Sequence, residues 1–295
     1  MKSIYNLVFS LLLVFSAASY ADNGPTNDSF SDYKHFAVLS EVAYHNKSKI
    51  KQTAEKLGWL VSHYRIIPDI EVLYYILSNH EKRSQVLVVR GTANAENALI
   101  DAAHKLIPNS ALGIKLHEGF ALAAGEIYAV AKTQLVKDYK TIITGHSLGG
   151  AVAVILAMHM DKDDYAVDAV YTYGQPKVTN ITGALTYKQL NLIRVVTPKD
   201  LVPLVPPFDA LDVNNLDIYW HLGREVILLP GNKYSETSGI ESMLRASNIL
   251  SEKIDERNVV HHSMSHYIVL IEKKLGDAEK VVHKNNLNLF KLFSQ

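Results

Sequence analysis

The sequence predicts an α/β fold with a mostly parallel central sheet and helices on both faces. Three observations carry this. Short runs of β-branched and apolar residues alternate with helix-period segments along the chain. The run Thr141-Ile-Ile-Thr-Gly-His-Ser-Leu-Gly-Gly150 passes from a strand pattern through a glycine-rich turn into an apolar helix pattern, Gly150 to Met160. No low-complexity linker or internal repeat interrupts the chain after its first residues, so the elements belong to one domain.

Taken in order, the chain opens on a segment outside the fold. Lys2 is followed by apolar Ile4 to Phe15 and by Ser19-Tyr20-Ala21, a small-x-small site. This reads as an export signal over 1–21, cleaved after Ala21. Its apolar run is shorter than the roughly 20 residues a membrane span requires. No later stretch is long and apolar enough to span, so the mature chain is expected to lack a transmembrane segment and to be secreted or periplasmic. Residues 22–32 read as a mobile polar leader, and 33–295 as a single domain. Tyr33 to His45 reads as a helix with Phe36, Ala37, Leu39, Ser40 and Ala43 on one side. Glu71 to Leu77 and Gln85 to Val89 are strands joined by polar Ser78 to Ser84. Glu118 to Val136 is an amphipathic helix. Val167 to Tyr173, Asn191 to Thr197 and Trp220 to Leu229 read as further strands, and Leu201 to Phe208 as a proline-rich loop. Residues 231–259 look like an insertion with helical character over Met243 to Ala246. Ser263 to Lys274 is a closing helix, with Ser263 as N-cap.

Composition narrows the chemistry. Without the signal the chain has 29 basic and 30 acidic residues, a balance that argues against nucleic acid as a partner. It has no cysteine, which excludes disulfides, thiolate metal sites and a cysteine nucleophile. Some 274 residues are enough to bury a core unaided.

Gly145-His146-Ser147-Leu148-Gly149 places a serine in Gly-x-Ser-x-Gly at the strand-to-helix turn. Such a turn exposes a hydroxyl on a strained backbone, and only glycine on both sides lets the backbones approach closely enough. A serine hydroxyl needs a base to accept its proton, and the base needs an acid to orient it. The chain order expected for this turn is serine, acid, histidine. Asp200 is the leading acid, on the loop after the strand ending at Thr197, where prolines 198, 203, 206 and 207 stiffen the chain. Asp209, Asp212 and Asp217 lie further into a polar loop. Four downstream histidines are candidate bases. His221, at the start of a strand, reads as a packed, hydrogen-bonded residue. Position favours His262, just before the last helix, with His266 and His261 as alternatives. An oxyanion needs donors. The Leu148 N–H lies at a helix N-terminus, and the Thr92 N–H follows the strand Val86-Leu-Val-Val-Arg90-Gly91.

With these residues in hand, the chain resembles the class 3 lipase family, the fungal-lipase-like branch of the α/β-hydrolase fold. The pieces that carry the resemblance are Val89-Arg90-Gly91-Thr92, His117-Glu118-Gly119-Phe120, Gly145 to Gly150, Tyr173-Gly174-Gln175-Pro176, Val196 to Pro203 and His262-Ser-Met-Ser-His-Tyr267, in family order. The resemblance implies a triad of Ser147, Asp200 and a C-terminal histidine, His262 followed by Tyr267, with Thr92 and Leu148 as the oxyanion hole. It implies hydrolysis of lipid esters through an acyl-enzyme, at a lipid–water interface, with no metal or organic cofactor. It also implies a lid helix, for which Glu96 to Leu106 is the candidate, with Ala98, Leu99, Ala102, Ala103 and Leu106 on its apolar side. Phospholipase or general carboxylesterase activity, and a catalytically silent interaction protein, are the competing readings.

Overall fold

The computed structural model describes residues 27–68, 72–91, 105–206, 218–239, 241–243 and 260–282. Nine strands form the central sheet, ordered β1 (Leu60–Ile67), β2 (Val72–Asn79), β3 (Ser84–Val89), β6 (Lys140–His146), β7 (Val167–Tyr173), β9 (Leu192–Val196), β11 (Arg224–Leu228), β12 (Lys233–Ser238) and β13 (Glu279–Lys280). The centre, from β3 through β6, β7 and β9 to β11, is parallel. The β1–β2, β2–β3 and β11–β12 pairs are antiparallel. A small antiparallel sheet is built from β4 (Leu106–Asn109), β5 (Ile114–His117), β8 (Thr179–Asn180) and β10 (Tyr219–Trp220).

Strand alternation divides the core into two layers. Leu73, Tyr75, Leu77, Val86 and Val88 face one side, and they pack with α1 (Asn27–Val42) and the closing helix α6 (Met264–Glu272). Tyr74, Ile76, Leu87 and Val89 face the other, against α3 (Glu118–Ala131) and α4 (Leu148–Lys162). Successive side chains on a strand point to opposite faces, so each core-facing set takes every second position. Helix α4 is buried nearly all round, because it lies between the sheet and α3. That explains an apolar run without a polar stripe. The short helices α2 (Lys47–Lys56) and α5 (Ile181–Thr186) complete the layers, each started by an asparagine side chain (Asn46, Asn180) that accepts a backbone N–H.

Several sequence expectations need correction. Asn27 to Ser31, assigned to a mobile leader, belong to α1, which begins well before Tyr33. Phe30 explains why: it is fully buried, edge-on to Tyr33 and Tyr234. The rest of the leader and the export signal lie outside the described residues. Leu106, assigned to the end of a lid helix, instead opens β4, pairing opposite His117. The remainder of that segment, through residue 104, lies outside the described residues. The helix expected to reach Val136 ends at Ala131, and turns lead on to β6. The strand expected from Trp220 to Leu229 is two pieces: β10 in the small sheet and β11 in the central one, separated by Gly223 with φ +77°. The expected insertion at 231–259 opens with β12, a strand of the main sheet.

β12 is polar in sequence yet half buried, because its partners are polar too. Glu225 on β11 accepts a hydrogen bond from the Thr237 hydroxyl at 2.7 Å. The same carboxylate pairs with Arg194 on β9 at 3.3 Å, both side chains about 1% exposed. Arg194 also donates to the Leu222 carbonyl and the Ser242 hydroxyl. A buried charge is tolerable when its hydrogen-bonding capacity is filled in this way.

Candidate active site

Three strand ends of the parallel sheet meet where its ligands are expected, beyond the carboxyl edge. Ser147 sits between β6 and α4 with φ 58° and ψ −131°, a left-handed backbone that is unfavourable for a residue with a Cβ. The neighbours that hold it have no room for side chains. A Cβ on Gly145 would lie 2.4 Å from the Gly149 carbonyl oxygen, and one on Gly149 would lie 2.3 Å from that of Val89. A Cβ on Gly91 would lie 2.6 Å from the carbonyl oxygen of His146. The Ser147 N–H donates to the Tyr173 carbonyl at 2.9 Å, which pins the turn to the end of β7. Leu148 is the first helical residue of α4, so its N–H has no partner within the helix.

β7 ends at Tyr173, and Gly174 follows with φ +58°. A side chain here would strike both Asp200 and His262: a Cβ would lie 2.7 Å from Asp200 Oδ2 and 2.8 Å from His262 Nδ1. Asp200 follows β9 and is fully buried. Its Oδ1 accepts the Val202 N–H at 2.9 Å. Its Oδ2 accepts from His262 Nδ1 at 2.8 Å and from the Tyr267 hydroxyl at 2.6 Å. With Nδ1–H committed to the carboxylate, the neutral His262 ring presents Nε2 as a bare lone pair, the form a general base needs. Among the described residues, neither His262 Nε2 nor the Ser147 hydroxyl has a hydrogen-bond partner, and both are buried.

The loop carrying Asp200 is tied down along its length. His221 Nε2 donates to the Pro203 carbonyl at 2.6 Å. The buried Lys177 ammonium donates to the Leu204 and Pro206 carbonyls, the latter at 2.7 Å, and the Lys177 N–H donates to the Val205 carbonyl. His221 is therefore a packed residue, and burial beside Arg194 and Lys177 holds its pKa well below 6.5.

The histidines of the closing segment are separated by role. His262 lies in a helical turn just ahead of α6, whose cap Ser263 accepts the His266 N–H. His261 and His266 face each other, Nδ1 to Nε2 at 3.2 Å, and neither is hydrogen-bonded to Asp200. Burial and the His261 ring lower the His266 pKa. The structure thus brings Asp200, His262 and Tyr267 into contact and sets Ser147 nearby through Tyr173 and Gly174. Thr92, the expected second oxyanion donor, lies outside the described residues, as do Asp209, Asp212 and Asp217.

Two residues of the site went unassigned by sequence reasoning. His146, in the variable position of the serine motif, packs tilted against His262 with ring centroids 4.4 Å apart. Tyr44, just past α1, bonds to it at 2.8 Å. Nothing in the local sequence around Tyr44 marks it, since its partner is more than a hundred residues away. Among the described residues no three acidic or imidazole side chains converge as a metal site.

Comparison with known proteins agrees with this architecture. Residues 86–210 match the family model described as Lipase (class 3). A secreted mono- and diacylglycerol lipase of Fusarium solani is 32% identical over 45% of this chain and 42% of its own length. A lipase of Rhizopus niveus is 31% identical over 45% of this chain and 37% of its own. The chain therefore spans less than half the length of these curated relatives. The crystal structure of a lipase from Rhizopus microsporus var. chinensis superposes with a TM-score of 0.59 at 23% identity, covering 69% of this chain and 76% of that one. The central parallel sheet, the serine turn and these matches give an α/β-hydrolase fold, and over residues 86–210 the chain is similar to the class 3 lipase family.

Proposed function

We propose that the protein is an exported serine hydrolase that cleaves carboxylic esters of lipids, in the manner of a triacylglycerol lipase. The observation that carries this is the buried hydrogen bond from His262 Nδ1 to Asp200 Oδ2, which leaves His262 Nε2 unpaired, together with the equally unpaired hydroxyl of Ser147 in its left-handed turn. On this reading Ser147 is the nucleophile, His262 the base and Asp200 the orienting acid. His262 Nε2 takes the hydroxyl proton as Ser147 Oγ attacks the ester carbonyl. The imidazolium that forms is stabilised by the Asp200 carboxylate, and it returns the proton to the departing alcohol. Water then attacks the acyl-serine with the same base, releasing the fatty acid and the free serine. The oxyanion is held by the N–H groups of Leu148 and Thr92, the former favoured by the dipole of α4.

The lipid substrate class is inferred from relatives named as lipases, and Ser147 and Asp200 both fall within the matched segment. Export follows from the signal read over 1–21, and action at a lipid–water interface from the substrate class. Among the described residues no helix is long and apolar enough to cross a membrane. The test is direct. Purified protein is expected to react with a fluorophosphonate probe and to release fatty acid from emulsified triacylglycerol, and Ser147→Ala abolishes both. Labelling that survives Ser147→Ala overturns the assignment. A parallel series of phospholipids and short-chain esters reads out head-group and acyl preference.

A further inference from the structure

His146 makes two hydrogen bonds that leave only one arrangement of protons. Its Nε2 lies 2.7 Å from the backbone carbonyl oxygen of His262. A carbonyl only accepts, so Nε2 carries the hydrogen. The ring is fully buried, and that burial, reinforced by the neighbouring His262 ring, keeps its pKa well below 6.5. The imidazole is therefore neutral and Nδ1 is a bare acceptor. The Tyr44 hydroxyl, 2.8 Å away, must donate to it. The result is a directed chain: Tyr44 O–H to His146 Nδ1, and His146 Nε2–H to the main chain of His262. Tyr267 closes the ring's other side edge-on, at 6.2 Å between centroids.

The chain links the parts of the site that must keep their spacing. Tyr44 comes from just past α1, His146 precedes Ser147, and the carbonyl belongs to His262 itself. The His262 side chain is already oriented by Asp200, but its backbone enters from the segment before α6 and needs its own anchor. We propose that His146 is a positioning residue: a neutral imidazole, oriented by Tyr44, that fixes the main chain of His262 relative to Ser147. This rests on the proposed roles of Ser147 and His262. It assigns a task to the residue between Gly145 and Ser147, whose own ring neither gives nor takes a proton in the proposed mechanism.

The experiment compares His146→Leu, His146→Gln and Tyr44→Phe with the parent protein on a soluble p-nitrophenyl ester, with thermal unfolding measured for each. Leucine fills the space without a donor. Glutamine carries an amide N–H at about the distance of Nε2 and can reach the same carbonyl. Because misplacement of a catalytic group by about 1 Å costs on the order of 100-fold, His146→Leu is expected to lower kcat roughly 10- to 100-fold while KM changes less than about twofold. His146→Gln is expected to recover kcat to within about fivefold of the parent, and Tyr44→Phe to fall between, since loss of one hydrogen bond loosens the ring without removing it. A folded His146→Leu with kcat within about twofold of the parent overturns the proposal, as does a His146→Gln equal in kcat to His146→Leu. If His146→Leu does not fold, Tyr44→Phe decides: parental kcat there rejects the relay. Ser147→Ala and His262→Ala separate the two levels. If both are inactive while His146→Leu is unimpaired, only this inference fails. If His262→Ala keeps full activity, the assignment of the base fails beneath it.

Discussion

Replacing Gly174 by alanine tests the placement of the acid and base without touching either. The added Cβ would sit 2.7 Å from Asp200 Oδ2 and 2.8 Å from both His262 Nδ1 and Cε1. These distances fall roughly 0.6–0.7 Å short of ordinary contact. Two of the struck atoms are the ones that form the 2.8 Å hydrogen bond, so they cannot both yield without lengthening it. Neither has free space to enter, because the Tyr267 hydroxyl holds Oδ2 and the His146 ring lies against His262. The backbone at φ +58° adds about 1–2 kcal/mol for a residue with a Cβ. A shift of half an ångström or more in the base is expected to lower kcat about 10- to 100-fold. KM on a short soluble ester should stay within about twofold if the change acts only on the acid–base pair. Thermal unfolding should fall by roughly 2–8 °C, from the strain alone. Steady-state kinetics with Gly174→Ala, alongside a melting curve, reads both effects. A folded Gly174→Ala with the parent's kcat would refute the argument that this carboxylate–imidazole pair is the working one.

Two further perturbations follow from the same geometry. Tyr267→Phe removes a 2.6 Å hydrogen bond to a buried carboxylate, which is worth about 1.5–3 kcal/mol; the expected outcome is a lower kcat and a melting point reduced by roughly 3–12 °C, and an unchanged melting point in calorimetry would count against it. The protein should also lose stability in mild acid. His146 and His221 are held neutral by burial, with folded pKa values well below 6.5, whereas in the unfolded chain each takes up a proton near 6.5. Below that pH the unfolded state binds more protons, so the stabilisation present above pH 6.5 is lost as pH falls, by about 1.4 kcal/mol per pH unit for each ring. Urea unfolding at pH 7, 6 and 5 measures the slope, and a stability independent of pH across that range would contradict the neutral, buried state of these rings.

Much of the architecture was written in local pattern. Val167 to Tyr173 matches its strand end for end, because a run rich in β-branched and aromatic residues between turn signals leaves little ambiguity. The strand–turn–helix around Ser147 was equally plain, since its glycines answer a steric demand that chain chemistry alone reveals. Asp200 was reachable because it follows a strand on the correct edge of the sheet. Other elements failed for physical reasons. Lys233 to Ser238 looked like part of an insertion because its polar side chains find partners only in Glu225 and neighbouring strands. Leu60 to Ile67 lies at the sheet's border with Leu60 and Ile66 exposed, so its apolar residues do not mark an inner face. Phe30 was hidden in a polar stretch, and only its burial against Tyr234 shows that the fold begins there. Among His261, His262 and His266 spacing could rank but not decide, because which ring meets Asp200 depends on the turn before α6.

The docking of α6 on α1 has a consequence for when the molecule becomes reactive. These helices share a core layer and a Lys34–Glu272 ion pair, although they stand near opposite ends of the sequence. The imidazole precedes the later helix directly, and the phenol that steadies the aspartate belongs to it. On the proposed roles of Ser147 and His262, synthesis from the N-terminus produces the serine turn long before its base, and the nascent chain stays chemically silent until α6 emerges and docks on α1. A product terminated before Val260 would then carry the hydroxyl without the proposed proton acceptor, and uptake of a fluorophosphonate by it would contradict that latency.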